Sequence, residues 1–212
     1  MRGMTARGRR DGGWSPTRKL LASVAVLGAA ASIAGLGTFA TFTSSTSASH
    51  SVSSGTVTIA LGATGASTNR LTVGASAIAP GDTIQRSVDL IDSGSIDLAS
   101  VTLTTTATTS SLLDTDTATG LQMVIDKCSV AWTESGPPYT YTCSGTTSSV
   151  LASRPVIGST LALSNLGSLI AGATDHLRVT LTLPSGAGNS LQNQSSTISY
   201  AFTGTQRTAT SK

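Results

Sequence analysis

Few residues of this chain are of the kinds that carry out reactions, so their spacing is where the argument starts. In 212 residues there are two histidines, His50 and His176, and two cysteines, Cys128 and Cys143. A zinc hydrolase commonly needs three protein ligands and a water, often supplied through H-E-x-x-H, and that motif is absent. A metal site using Asp175 and His176 with the distant His50 is weighed against two isolated surface histidines, and the latter is favoured. No G-x-S-x-G singles out a nucleophile among the abundant serines. Asp114-Thr115-Asp116 opens like a calcium loop, but the remaining ligand positions are missing, so it reads as a solvated turn. No catalytic residue, cofactor or metal site is expected. Asn193-Gln194-Ser195 matches the glycosylation pattern, which matters only in a host that glycosylates.

The cysteines fit an oxidising compartment. They bracket CSVAWTESGPPYTYTC, with turn residues from Glu134 to Pro138 at its middle. Folded back as a hairpin, this stretch sets Trp132 opposite Tyr139, Val130 opposite Tyr141 and Cys128 opposite Cys143 on one face. A disulfide in that register closes a loop of about 15 residues, for which chain entropy gives ~3 kcal/mol. Nothing lowers a thiol pKa or adds ligands nearby, so a structural bridge is favoured over catalysis or metal binding. Trp132, Tyr139 and Tyr141 are the only aromatic cluster. They read as packing around the disulfide rather than as a sugar-binding platform.

The elements that must hold these residues are strands. Val57, Ile59 and Leu61 alternate with Thr56 and Thr58. Leu71 and Val73 suggest a further short strand, and Pro80-Gly81-Asp82 is a turn. From Thr83, Ile84, Val88 and Leu90 share a face that Arg86 interrupts. Asp92-Ser93-Gly94-Ser95 then turns the chain, so residues 83–107 read as a hairpin. Ile96 and Leu98 are out of phase with Val101 and Leu103, and a bulge near Ala99-Ser100 reconciles them. Residues 121–132 read as a mostly buried strand. Residues 144–169 show little order beyond Leu161, Leu163 and Leu166 as core contacts. The clearest strand carries Leu177, Val179, Leu181 and Leu183 inward, which sends His176, Arg178 and Thr180 outward to water. Residues 197–206 return with Ile198, Tyr200 and Phe202 inward. Short strands, Gly/Pro/Ser turns and no amphipathic helix imply an all-β, jelly-roll-like antiparallel β-sandwich.

Ahead of this domain, residues 1–19 carry Arg2, Arg7, Arg9, Arg10, Arg18 and Lys19 against Asp11 alone, and residues 20–42 are apolar or small without charge. That is the anatomy of a secretory signal. A run of about 23 residues is also long enough to span a bilayer, so a retained anchor is the rival reading. Thr38 and Ala40 supply small residues at −3 and −1, giving cleavage before Thr41, with Thr46 and Ala48 as a later site. Asp11 directly after Arg9-Arg10 argues for general secretion over the twin-arginine route. Removal of the leader takes six of thirteen basic residues and one of ten acids, moving the net charge from +3 to about −2. No basic cluster remains, which excludes nucleic acid as a partner. The expected organisation is a signal peptide over residues 1–40, an extended arm over 41–54, a sandwich over 55–207 and a tail over 208–212.

Three stretches carry a resemblance: GTFATF followed by SGTVTI, then APGDTIQRSVDLIDSGSIDL, and finally LPSGAGNSLQNQSSTISYAFTGTQ. In these the chain resembles the TasA and camelysin family of secreted proteins, over roughly residues 20–107 and 177–207. The resemblance to the fibre-forming members does not extend to the cysteine hairpin between them. The resemblance implies export with a SipW-type signal peptidase as transient partner, and cutting at Gly37-Thr38-Phe39-Ala40. It further implies a jelly-roll domain and assembly into extracellular fibres of the biofilm matrix, with the mature amino terminus added as a strand to the next copy. The donor strand would be Thr41, Phe42, Thr43, Ser44, Ser45, Thr46 and Ser47. An extended polar arm can satisfy the free N–H and C=O groups of a sheet edge, and such head-to-tail contacts propagate. Camelysins are also described as metal-dependent endopeptidases, and a monomeric surface-binding module is a third possibility. A secreted structural protein without chemistry is the favoured reading, located in the extracellular matrix or at the cell surface.

Overall fold

The computed structural model describes residues 54–72, 74 and 77–210. Along residues 83–92, 122–128 and 174–182 apolar side chains recur at every second position and the backbone is extended, because that period places one apolar row against a core. The strands are β1 (Ile59–Leu61), β2 (Thr83–Asp92), β3 (Leu98–Thr109), β4 (Gln122–Cys128), β5 (Thr133–Ser135), β6 (Thr140–Thr142), β7 (Thr147–Pro155), β8 (Gly158–Ala162), β9 (Thr174–Thr182) and β10 (Thr197–Gln206). They form a five-stranded sheet A, in the order β1-β2-β9-β4-β7, a three-stranded sheet B, β10-β3-β8, and the hairpin β5-β6. Every pairing is antiparallel. The fold is thus the jelly-roll-like β-sandwich that the alternation predicts. Val88, Leu90, Met123, Ile125, Leu177 and Val179 of sheet A meet Val101, Leu103 and Leu161 of sheet B in one core.

Residues 83–107 are not a hairpin. β2 pairs with β1 and β9, whereas β3 pairs with β10 and β8, so the turn after Asp92 carries the chain from one sheet to the other. Asp92 itself is fully buried, and its Oδ1 accepts from the Gly94 N–H at 2.9 Å, which tightens the corner. The phase change in the following strand is real. Leu98 and Ser100 face Gln206 and Thr205, leaving Ala99 as the extra residue of a bulge. Only Ile59–Leu61 of the first expected strand is regular, and Val57 is 38% exposed. Leu71 and Thr72 lie in a turn rather than a strand, and Val73 falls outside the described residues.

Asp114 is not solvated. It sits in a single helical turn, α1 (Leu112–Thr115), where Ser111 caps the Leu113 N–H and Asp114 accepts from the Ser111 N–H at 2.7 Å. Ser110 and Ser196 donate to the same carboxylate. Burial pushes this carboxyl up, and these donors together hold it below its ordinary value. Asp116 accepts instead from the backbone of Ala118 and Thr119. β7 and β8 occupy a stretch that reads as featureless, since Val150 is the only fully buried residue of β7 and the positions in phase with it are Ser148, Ala152 and Arg154.

Candidate functional site

A sandwich ends in edge strands, each a row of unpaired backbone donors and acceptors that must be short, irregular, charged or covered to resist another strand. β1 has three residues, and residues 62–70 continue along β2 beyond it through Gly62 N to Asp89 O, Asp89 N to Thr68 O and Arg70 N to Ser87 O. β7 is broken by two register shifts against β4 and ends in Arg154 and Pro155. β8 is five residues long and holds Thr160 at φ 49°. β10 differs from all three. It runs ten residues, TISYAFTGTQ, without a charge or a proline, and among the described residues it pairs only with β3.

β10 packs inward loosely. Ile198, Tyr200 and Phe202 touch the core yet stay half-buried. Burial pushes the Tyr200 hydroxyl up to about 12, against the pull of the Arg86 charge. Arg86 is the residue that interrupts the inward face of β2. It is only 9% exposed and donates to the carbonyls of Gln85 and Gly74. Near its end β10 meets β1, where a Cβ on Gly204 would lie 2.5 Å from Ile59 Cδ1. The residues leading into β1 are tied to the sheet-crossing corner by Thr56 N to Ser95 Oγ and Ser95 N to Thr56 O. The residues leading into β1 and the open edge of β10 therefore share one margin of the sandwich.

The second assembly of polar and aromatic groups lies on the outer face of sheet A, under the hairpin. Cys128 and Cys143 are bonded, with 5.7 Å between Cα atoms. The expected register is displaced. β5 and β6 pair Thr133 with Thr142, Glu134 with Tyr141 and Ser135 with Thr140, so Trp132 is not opposite Tyr139, and Val130 is 43% exposed. The turn falls at residues 136–139 rather than 134–138, and Cys128 ends β4 of the main sheet instead of a hairpin arm. The expected cluster forms all the same. Cys128, Trp132 and Tyr141 are buried together with Tyr139 and Cys143 packed against them.

This hairpin covers side chains expected to meet water. Arg178 stacks 4.4 Å from the Trp132 ring centroid and bonds Asp126 at 3.0 Å. The indole Nε1 donates to the carbonyl of His176 at 2.8 Å. Glu134 accepts from Arg70 Nη2 at 2.7 Å and from the Tyr141 hydroxyl at 2.8 Å, and Arg70 in turn lies over the Tyr139 ring. The Arg70 hydrogen bond holds the Glu134 carboxyl below its ordinary value against its burial, and burial pushes the Tyr141 hydroxyl up.

His176 Nδ1 lies 2.7 Å from Asp89 Oδ1. Asp175, its chain neighbour, points the other way, as alternation requires. It is buried, accepts from the Ser168 N–H at 2.7 Å and pairs with Lys127 at 3.1 Å. Burial pushes Asp175 up, but the backbone donors of Ser168 and Gly167 and the Lys127 ammonium outweigh it and hold the carboxyl below its ordinary value. Asp175 and His176 thus face opposite sides of sheet A and cannot share a metal ion. Among the described residues no three His, Cys, Asp or Glu side chains converge as a metal site. His50, the cleavage residues Thr38, Ala40 and Thr41, and the arm from Thr41 to Ser47 lie outside the described residues. Among those described, no helix is long and apolar enough to cross a membrane.

No curated protein matches the chain. The family profile described as camelysin metallo-endopeptidase matches residues 16–211, which include the whole of the sandwich. With nearly its whole length covered, the chain belongs to the camelysin family, the family of TasA.

Proposed function

We propose that the chain is a secreted structural subunit that assembles head to tail, each copy donating its arm, Thr41 to Ser47, as a strand to the next. The observation that carries this reading is the open edge of β10: long, regular, uncharged and paired on one side only. Such an edge offers a full row of main-chain partners, and an arm of Thr, Ser and one aromatic, Phe42, can pair with it without burying charge. Donor and acceptor are different surfaces, so the contact repeats without closing. Family membership supports the reading, as does the polar, uncharged composition of residues 41–54. A SipW-type signal peptidase would free Thr41 during export, and the filament would lie in the extracellular matrix or at the cell surface.

The test is electron microscopy of leader-free protein with Thr41 as its verified first residue, beside a form lacking residues 41–49. Filaments from the intact form alone are the expected result, and filaments from both would refute strand donation. The second reading, a metal-dependent endopeptidase, has the family's description behind it. Casein cleavage that is abolished by a chelator and by His176→Ala would establish it in place of the first.

A further inference from the structure

The charges of the sandwich are distributed unevenly. Among the described residues the ion pairs Arg70–Glu134, Lys127–Asp175 and Arg178–Asp126 and the His176–Asp89 contact all involve side chains of sheet A or of the hairpin upon it. No strand position of sheet B is Asp, Glu, Lys, Arg or His. Its outer face is made mostly of small hydroxyl side chains. Thr102, Thr104 and Thr106 alternate along β3 and stand directly beside Thr203, Ala201 and Ser199 of β10. Ordinary soluble surfaces intersperse charges of both signs, which keeps copies apart. Here a face without charged strand residues runs from Ser100 to Thr106, and every residue of β10 on it is exposed.

We infer that the outer face of sheet B is a weak self-association surface whose occupant is the same face of a second copy. Two such faces meet without like-charge repulsion, and each threonine offers a methyl for contact and a hydroxyl for a hydrogen bond, direct or through water. The area decides the strength. With strands ~4.8 Å apart and ~3.4 Å per residue, the paired parts of β10, β3 and β8 cover roughly 400 Å² per copy. A pair would bury about 800 Å² in total, short of the ~1,200 Å² at which specific complexes become stable. Two monomers therefore attract without forming a lasting dimer. Copies already held in a row engage many faces at once, and the weak contact becomes a strong lateral one. That last consequence rests on the strand-addition reading; the attraction between monomers does not.

The experiment compares leader-free protein with Thr102→Lys/Thr106→Lys, which alters the central strand of sheet B and leaves the edge of β10 untouched. A control, Ala118→Lys/Ala152→Lys, places the same charges on exposed positions away from this face. Static light scattering is read as the second virial coefficient, with circular dichroism to verify the fold. The wild type and the control are expected to give a negative coefficient, and the face variant a positive one. The two lysines bring the net charge from about −2 to about 0, which alone would weaken repulsion, so a change towards repulsion comes from the face. A face variant indistinguishable from the wild type, or a wild type without attraction, overturns the inference. Retention of the wild type alone on insoluble cellulose, without attraction between monomers, would assign the face to a neutral polysaccharide and also overturn it. In micrographs, wild-type filaments are expected side by side and variant filaments single. Absence of filaments would count against strand addition only, with the scattering still judging the face.

Discussion

Removing the disulfide separates what the bridge does from what the contacts beneath it do. Cys128→Ala/Cys143→Ala opens a loop of 15 residues. Chain entropy assigns such a loop ~3 kcal/mol, acting mainly by restricting the unfolded chain. For a domain of 150–250 residues each kcal/mol moves Tm by about 2–4 °C, so the expected fall is roughly 6–12 °C. The native hairpin should stay docked, because it is held independently by the Trp132–Arg178 stack, the bond from the indole to His176, and Glu134 accepting from both Arg70 and Tyr141. Leader-free protein retains a single tryptophan, Trp132, since Trp14 leaves with the signal. Its emission therefore reports docking while far-UV circular dichroism reports global unfolding. The expected result is unchanged emission at 25 °C and one cooperative transition at lower temperature. A red-shifted emission at 25 °C with Tm nearly unchanged would refute the reasoning, since it would mean that the bridge alone pins the hairpin. Reduction of the wild-type protein should reproduce the shift without altering a side chain.

Acid should loosen the same hairpin. The Glu134 carboxyl is held below its ordinary 4.5, so its contribution is complete above that value and is lost as pH falls through the lower folded value. Trp132 emission during acid titration should shift below pH 4.5, and Glu134→Gln should flatten that response. Leu103→Ala, at a fully buried position of the central strand of sheet B, is expected to cost about 2–5 kcal/mol in urea unfolding, and a cost under 1 kcal/mol would mean that the two sheets do not pack as described. Asp114→Ala leaves the Ser111 cap but removes the other half of this capping box, the bond from the Ser111 N–H, together with the bonds from Ser110 and Ser196, with an expected cost of about 1–2 kcal/mol. Asp116→Ala, which lies outside the capping box, should cost less in the same assay.

The strands that could be read from the sequence are those whose inward row is aliphatic. β9 and β10 follow directly from Leu177, Val179 and Leu181 and from Ile198, Tyr200 and Phe202, and the bulge at Ala99 follows from a break in phase. β7 is not legible because Val150 is the one large apolar residue in a row with Ser148 and Ala152, so its place comes from pairing with β4, a non-local fact. The supposed hairpin of β2 and β3 failed for a related reason. A turn's residues announce that the chain reverses, but not whether it returns to the same sheet. The hairpin register slipped because cysteines were matched as arm partners, whereas one of them belongs to the main sheet. The sequence reading weighs Asp175 and His176 as ligands of one site, although alternation along β9 puts neighbours on opposite faces, and alternation says nothing of the hairpin that covers Arg178. The uncharged edge of β10 was visible in its composition, but that it is an edge depends on the strand order.

The ion pairs of sheet A acquire a mechanical meaning if the subunit is ever pulled. Asp89 and His176 join β2 to β9, while Arg178 with Asp126 and Lys127 with Asp175 join β9 to β4, on opposite faces of the sheet. β2 and β9 also pair without a register break over nine residues. Tension along the strands would load these rungs and staples in parallel rather than peel them in turn. The middle of sheet A would then behave as a stiff plate that yields in one event, leaving extension to the margins.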